Sequence, residues 1–301
     1  MIHARLDCSR RLLLGAGAAL AAGLGLSDKG KAMEVQKTPV SGYAETDGLK
    51  VYYELHGGAP ASGKIPLVML PGGATSIATT FAKDLLPRFA KVWPVIAIEP
   101  QGHGHTDDRP GPISVEQMAK DVVAVLDHLK VPKAHLFGHS LGGMIATGVA
   151  VAAPDRVASA TIVGATYTLE GMLPELVKMQ RDPSHVPSAE LIPLLPTQED
   201  FAAWTAHYQK VNPHPENFQK VLGKLNVTLT EWKGWTPAQL GAIRAPTLLA
   251  IGDNDFTRIE HAAEMKRLIP GSQLAVLPGT THMNIIERGD WLEPMMRARM
   301  A

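Results

Sequence analysis

The chain has 301 residues, of which 45% are hydrophobic and 19% are charged, and its formal net charge is zero. This length and apolar content are typical of an enzyme-sized globular protein and argue against disorder, and the neutral balance argues against a nucleic-acid-binding protein, which carries a basic surface. The only cysteine is Cys8, so the rest of the chain has no disulfide, no thiolate metal site and no cysteine nucleophile.

Residues 1–32 have the layout of a secretory signal. Three arginines precede a 15-residue apolar run at 12–26, and small residues near 30–32 offer a cleavage site. The pair Arg10-Arg11, followed by three leucines, resembles a twin-arginine signal. This interpretation predicts a periplasmic or secreted protein with no stable membrane span in its mature form, and it implies the twin-arginine export machinery as a partner.

Two other interpretations of the apolar run are open. An uncleaved membrane anchor would need ~20 apolar residues, more than this run contains. An ordinary buried helix would not be preceded by paired arginines and would contain less glycine. Removal of residues 1–32 takes five basic and two acidic residues from a neutral chain, so the mature body has a net charge of −3.

From residue 43 onward, apolar runs typical of buried strands alternate with segments of helical periodicity. The predicted strands are 43–46, 49–55, 65–70, 93–98, 134–137, 158–164, 246–251 and 274–277. The predicted helices are 79–91, 114–130, 141 to near 154, 258–269, and one from about 284. Asp47-Gly48 predicts a hairpin between the first two strands. The pattern predicts an α/β fold with a mostly parallel eight-stranded sheet flanked by helices, formed by residues 43–165 and 241–301.

Residues 166–240 interrupt this alternation. They contain eight prolines and seven aromatic residues, but no run that predicts a buried strand. Helical stretches are expected at 170–180, 197–211 and 215–230. The segment is therefore predicted to be a helical insertion into the α/β core.

The hexapeptide GHSLGG at 138–143 lies between a predicted strand and a predicted helix. A sharp, glycine-flanked turn in that context presents a nucleophilic serine, here Ser140. Side chains at the flanking glycines would clash with the adjoining strand and helix, and the N–H of Leu141 would point at the space in front of the serine. A glycine-rich turn with a chance serine is the alternative.

Two further polar residues follow later strands. Asp255 and His282 come after the strands at 246–251 and 274–277, so all three candidates are expected at the same edge of the sheet, where ligands of parallel sheets bind. Serine needs a base to become a nucleophile, His282 suits that role, and a carboxylate would orient the imidazole. Asp253 competes with Asp255 for the role of the acid and would otherwise brace the turn.

Other polar motifs have weaker interpretations. The glycine turn at 71–76 lacks the Gly-Lys-Ser/Thr ending of a phosphate loop. The pattern His103-x-His105-x-Asp107 allows a metal site, but no further ligand set accompanies it. We therefore predict no metal and no cofactor, and we assign His103, His105 and His139 structural or pocket-lining roles.

The order Ser…Asp…His, with Gly-x-Ser-x-Gly at its first member, resembles the α/β-hydrolase superfamily over residues 43–301. The resemblance implies that Ser140, Asp255 and His282 form a catalytic triad and that the backbone N–H groups of Gly73 and Leu141 form the oxyanion hole. It also implies that residues 166–240 are a helical cap. One departure is Pro71, where many members have histidine.

A serine nucleophile points to acyl transfer, whereas members with aspartate at this position carry out alkyl chemistry. The expected function is an exported serine hydrolase, esterase-like, that cleaves a small and apolar carboxylic ester through an acyl-enzyme on Ser140. Lactone, amide or carbon–carbon bond hydrolysis and perhydrolysis would use the same residues. A ligand-binding protein on this fold is the alternative from another class.

Overall fold

The computed structural model describes residues 39–60, 63–182 and 184–300. The predicted signal at 1–32 lies outside these ranges and stays a prediction. Within them, no helix combines the length and the apolar character that crossing a membrane requires.

The core is one eight-stranded sheet. In chain order its strands are β1 (Val40–Thr46), β2 (Leu49–His56), β3 (Leu67–Leu70), β4 (Val95–Ile98), β5 (Ala134–His139), β6 (Val157–Val163), β7 (Thr247–Asn254) and β8 (Gln273–Thr281). Their spatial order is β1-β2-β4-β3-β5-β6-β7-β8. The β1–β2 and β2–β4 pairs are antiparallel and the other pairs are parallel. The predicted mostly parallel eight-stranded sheet is confirmed.

The predicted hairpin joins β1 and β2 with a two-residue turn. Thr46 pairs with Leu49 across the turn. Asp47 and Gly48 both have positive φ, 43° and 74°, as the tight turns that match the twist of paired strands require.

Helices cover both faces of the sheet. They are α1 (Ile77–Phe81), α2 (Leu85–Ala90), α3 (Val115–His128), α4 (Leu141–Ala152), α5 (Pro174–Arg181), α6 (Gln198–Val211), α7 (Phe218–Glu231), α8 (Pro237–Gly241), α9 (Ile259–Leu268) and α10 (Gly289–Met300). One large apolar cluster joins one face to α3, α4 and part of α7 and α9. A second cluster joins the opposite face to α1, α2 and α10. Central strands are therefore buried on both sides, which explains their continuous apolar runs.

The predicted helix at 79–91 is instead two short helices, α1 and α2, separated at residues 82–84. Pro87, in the first turns of α2, has no N–H for the carbonyl four residues earlier, and its ring would clash with that carbonyl. The chain therefore cannot continue one helix through this point, although the apolar spacing of the segment suits one.

The cap consists of α5, α6, α7 and α8, which lie in sequence between β6 and β7. Helix α5 begins only at Pro174, later than the predicted residue 170, with proline at its first position. The helix α7 holds the cap to the core through Thr228, whose hydroxyl donates to the carbonyl of Ile113 at 2.8 Å. The cap therefore packs on the loop that follows β4.

Candidate active site

Ser140 directly follows β5 and has φ 54° and ψ −119°, a conformation that costs energy for any residue with a side chain. A Cβ added at Gly138 would lie 2.1 Å from the carbonyl oxygen of Gly142, and one at Gly142 would lie 2.1 Å from that of Leu70. The flanking glycines are thus required by close backbone approach. The N–H of Ser140 donates to the carbonyl of Val163 at 2.8 Å, which ties the turn to β6.

Asp255 and His282 directly follow β7 and β8, and the structure brings them together. His282 Nδ1 lies 2.8 Å from Asp255 Oδ1, and both side chains are buried. The same carboxylate oxygen accepts from the N–H of Thr257 at 2.7 Å. The ring of Phe256 stacks on His282 with centroids 3.8 Å apart, so the imidazole is held at its edge and on its face.

The surroundings of Asp255 favour its ionised form. Burial by itself raises the pKa of this carboxyl, but the charge of His282 and the hydrogen bonds from His282 and Thr257 outweigh burial and hold the pKa below its ordinary value. An ionised carboxylate beside Nδ1 keeps the proton on that nitrogen and leaves Nε2 free to act as a base.

The competing carboxylate, Asp253, has a different partner. It is exposed, and its Oδ1 accepts from the N–H of Thr280 at 3.0 Å. Hydrogen bonds from the backbone of Thr280 and Gly279 lower its pKa. Asp253 therefore binds the backbone near the end of β8, just before His282, and is not hydrogen-bonded to the imidazole.

Ser140 and His282 line the same cavity, which has a volume of about 370 Å³. Within the described residues, the hydrogen bonds of His282 include Asp255 but not the hydroxyl of Ser140. Contacts between a nucleophile and its base are often long in free enzymes and tighten when substrate binds. The geometry thus shows a paired aspartate and histidine with the serine on the same wall.

The two predicted oxyanion donors also line this cavity. Gly73, in the loop after β3, and Leu141, at the start of α4, both lie on its wall. In the described part of the chain neither N–H donates to another protein group, whereas the N–H of Ala74 donates to His103 Nε2 at 3.1 Å. A Cβ added at Gly73 would lie 3.8 Å from the Leu141 side chain, so the two segments are adjacent.

His139, the residue before the serine, contacts the loop of the predicted base. Its Nε2 lies 2.9 Å from the carbonyl oxygen of His282, to which it donates. Burial and, to a smaller extent, the charge of His282 lower the pKa of His139 to about 3, so its ring is neutral near pH 7. His139 thus links the serine turn to the histidine loop.

The cavity is mostly apolar beyond the reactive groups, and its other polar lining side chains are uncharged: those of Thr75, Thr166, Gln180, Asn226 and Thr257. None of its described lining residues is Asp, Glu, Lys or Arg. Much of the wall comes from cap side chains, among them Leu176, Met179, Leu195, Trp204 and Leu225. The site can therefore hold an uncharged organic group next to Ser140.

The pattern His103-x-His105-x-Asp107 does not form one cluster. His103 faces the N–H of Ala74, and His105 lies 3.0 Å from the carboxylate of Glu99. Among residues 39–60, 63–182 and 184–300, no three His, Cys, Asp or Glu side chains are arranged to hold a metal ion.

Sequence reasoning missed Gly164, the residue after β6. It has a φ of 55°, and an added Cβ would lie 3.0 Å from His282 Nδ1 and 3.1 Å from Asp255 Oδ2. A side chain here would push the pair apart. The only sequence signal was a glycine at the end of a predicted strand, which does not reveal the later residues that pack on it.

The match to a family model defines the class of protein. Residues 65–235 match the alpha/beta hydrolase fold. The chain therefore belongs to the α/β-hydrolase family. Because the relatives named below are also hydrolases, the protein is a hydrolase.

Among curated relatives, a putative carbamate hydrolase RutD from Azorhizobium caulinodans is 30% identical over 222 residues, which are 71% of this chain and 80% of that protein. A proline iminopeptidase from Lactobacillus crispatus is 26% identical over 293 residues, which are 83% of this chain and 94% of that protein.

Among solved structures, Est816, described as an N-acyl homoserine lactone degrading enzyme, is 29% identical with a TM-score of 0.67, covering 85% of this chain and 99% of its own. A 2-hydroxy-6-oxo-6-phenylhexa-2,4-dienoate hydrolase from Rhodococcus has a TM-score of 0.70 and covers 87% of this chain and 98% of its own. At 19% identity it shares the fold alone.

Proposed function

We propose that this hydrolase cleaves a small, uncharged carboxylic ester with an apolar acyl group, as a carboxylesterase-like enzyme of class EC 3.1.1. The observation that carries the proposal is the strained Ser140 on the wall of an apolar cavity that it shares with the His282–Asp255 pair, whose nitrogen and oxygen are 2.8 Å apart.

In the proposed reaction, His282 Nε2 takes the proton of Ser140 as Oγ bonds to the ester carbonyl carbon. The carbonyl oxygen becomes an oxyanion that accepts from the N–H groups of Gly73 and Leu141. The carbon–oxygen bond to the alcohol then breaks, and the alcohol leaves with the proton from His282. Water repeats the sequence on the acyl-enzyme, which releases the acid and restores Ser140.

The lack of charged side chains among the described lining residues supports a neutral substrate. A carboxylate placed among Leu176, Met179 and Trp204 would lose its hydration and find no cationic partner. An apolar chain in the same place is stabilised by about 0.8 kcal/mol per buried methylene. Substrates with an ionised group at the end of the acyl chain are therefore expected to be poor.

Lactone hydrolysis is the second candidate, because Est816, at 29% identity, is described as degrading an N-acyl homoserine lactone. A lactone is a cyclic ester, so the same steps open its ring and the leaving alcohol stays attached. The likeness to a putative carbamate hydrolase makes carbamates a further class to assay.

The test is burst release of p-nitrophenol from p-nitrophenyl hexanoate by the purified protein. We expect a burst of p-nitrophenol that approaches one equivalent per enzyme molecule, and no burst from the Ser140→Ala variant. Ser159→Ala is the matched control, since Ser159 is buried and its hydroxyl contacts His135. Equal rates for the wild type and Ser140→Ala would refute the proposal. Failure of a fluorophosphonate to label Ser140 would favour a ligand-binding protein.

The charge of the substrate is tested with two esters of equal chain length. The mono-p-nitrophenyl ester of adipic acid ends in a carboxylate where the hexanoate ends in a methyl group, and we expect its kcat/KM to be at least about 10-fold lower. Met179→Lys places a cation in the cavity wall and should reduce the difference in kcat/KM between the two esters. Gln198→Lys adds the same charge at an exposed position at the start of α6 and should leave the ratio unchanged.

We further propose that the protein is exported through the twin-arginine pathway. The support is the order of Arg10-Arg11, the apolar run at 12–26 and the small residues near 30–32. A body without cysteine is compatible with folding on either side of the membrane.

A further inference from the structure

The loop after β3 has an unusual backbone at Ala74, which directly follows the predicted oxyanion donor Gly73. Ala74 has a φ of 64°, in the left-handed region that residues with a side chain seldom adopt. Its N–H donates to His103 Nε2 at 3.1 Å. Because such a conformation costs free energy, it persists only where surrounding contacts impose it.

The ring of His103 is itself fixed by the structure. It is 1% exposed, and its Nδ1 lies 2.8 Å from the carbonyl oxygen of Gln101, to which it donates. With the proton on Nδ1, the neutral ring has its lone pair on Nε2, where the N–H of Ala74 arrives. Burial lowers the pKa of His103, which favours this neutral form.

Neighbouring contacts hold the turn that carries His103. The buried carboxylate of Glu99 accepts from the N–H of Ile77 at 3.1 Å and from that of His105 at 2.6 Å, so it joins this turn to the start of α1. From the cap, the side-chain amide of Asn212 donates to the carbonyls of Gly104 at 2.7 Å and Thr106 at 3.1 Å. The imidazole of His103 therefore projects from a firmly held turn.

The glycines of this turn allow the approach. A Cβ added at Gly104 would lie 2.2 Å from the Glu99 carboxylate, and one at Gly102 would lie 2.9 Å from Val221 of the cap. Pro71, at the start of the loop after β3 that carries Gly73 and Ala74, has no side-chain hydrogen-bonding group. The loop after β3 therefore receives a hydrogen-bond acceptor from the turn after β4, the side chain of His103.

We propose that His103 is a positioning residue: by accepting the N–H of Ala74, it fixes the loop so that the adjacent N–H of Gly73 is left free and directed at the oxyanion. This inference deepens the proposed function and rests on it. Among the described residues that line the cavity His103 is absent, and its ring is bonded to Gln101 and Ala74. Because the oxyanion forms only on the way to the tetrahedral intermediate, the effect of His103 should appear in kcat and not in KM.

The experiment compares four variants of the full chain. His103→Leu removes the acceptor, His103→Asn places an amide oxygen too close to the backbone to reach Ala74, and His103→Gln places one near the position of Nε2. His135→Leu is the matched control, because His135 is also buried and hydrogen-bonded, to Ser159. We expect kcat on p-nitrophenyl hexanoate to fall on the order of 10–100-fold in the Leu and Asn variants with KM within about twofold, and the Gln variant to recover most of the loss.

A second measurement uses an alkyl trifluoromethyl ketone. Ser140 Oγ adds to its carbonyl carbon, His282 keeps the proton, and the resulting oxyanion occupies the hole. Its inhibition constant should rise in step with the loss of kcat across the variants. Wild-type kcat and inhibition in His103→Leu would overturn the inference while leaving the proposed function intact. If the Leu variant does not fold, equal activity of the Asn and Gln variants would overturn it, and an inactive wild type would instead refute the proposed function.

Discussion

Ser140 is one of the non-glycine residues of the described chain with a positive φ, and it lies on the cavity wall. A non-glycine residue at φ 54° and ψ −119° costs about 1–3 kcal/mol relative to an ordinary conformation. The cost is tolerated because β5 and α4 are both anchored in the core and because Gly138 and Gly142 let their backbones approach closely. The consequence is a hydroxyl held at a fixed point on the cavity wall.

Two aspartates near His282 differ enough in geometry to be separated by experiment. Asp255→Asn should lower kcat by about 10³–10⁴-fold, because the amide cannot stabilise the imidazolium and favours the wrong tautomer. Asp253→Asn should lower kcat by less than about 10-fold, since Asp253 is exposed and its hydrogen bonds, from the backbone of Thr280 and the side chain of Asn254, do not include His282. Steady-state kinetics on one ester measure kcat for both variants. A larger loss of kcat in Asp253→Asn than in Asp255→Asn would show that Asp253, and not Asp255, is the acid that assists His282.

Among the elements, α7 of the cap determines how the site is covered. Lys224 of α7 forms an ion pair with Asp108, whose side chain is 0% exposed, and Thr228 donates to the carbonyl of Ile113. These contacts fasten one side of the cap to the loop after β4.

Lys224→Met tests this attachment. Removing the ammonium leaves the Asp108 carboxylate buried with two remaining side-chain partners in the described structure: Lys220, 3.7 Å away, and Gln101, which donates a hydrogen bond. We expect the free energy of unfolding to fall by about 1–3 kcal/mol. Lys220→Met, which removes a side chain that is 60% exposed, should change it by less than about 0.5 kcal/mol. Urea unfolding measures the free energy of unfolding of both variants. Equal losses would show that Lys224 stabilises the protein no more than the exposed Lys220 does.

At the scale of the whole molecule, buried neutral histidines make stability depend on pH. Burial lowers the pKa of His135 and of His261 to about 4, whereas the unfolded chain titrates near 6.5. Between these pH values the unfolded state binds more protons than the folded state does. The stabilisation that comes from keeping these two histidines neutral is therefore complete above about pH 6.5 and is lost as the pH falls toward 4. Each group contributes at most about 1.4 kcal/mol per pH unit.

Unfolding midpoints in urea at pH 7.5, 6 and 5 measure this dependence. His135→Asn removes one titrating group and should flatten the fall of the unfolding free energy below pH 6.5. A decline of equal slope in the His135→Asn protein would contradict the assignment.

The export proposal also concerns the whole molecule. Replacing Arg10 and Arg11 together by lysine should retain the protein in the cytoplasm, because the export machinery reads the arginine pair. Cell fractionation and the mass of the mature N-terminus measure this. A control in which Lys29 and Lys31 become arginine keeps the basic charge and should be exported normally; export of the Arg10/Arg11 variant at the wild-type level would contradict the proposal.

Much of the fold was predictable because its signals are local. Each buried strand is a short apolar run, and the Asp47-Gly48 turn encodes the hairpin within two residues. One exception is the segment at 79–91, where apolar spacing predicted one helix and Pro87 divides it into two. Both signals were present in the sequence, and the covalent constraint of proline overrode the periodicity.

The sequence by itself determined the α/β class and the three polar residues that follow β5, β7 and β8, because strand ends and turn chemistry are encoded in neighbouring residues. Only the tertiary structure decided that His282 meets Asp255 while Asp253 meets Thr280, that Gly164 packs against the first pair, and that His103 accepts from the N–H of Ala74. These contacts join residues far apart in sequence, and their distances depend on how the strands align. No local pattern carries that information.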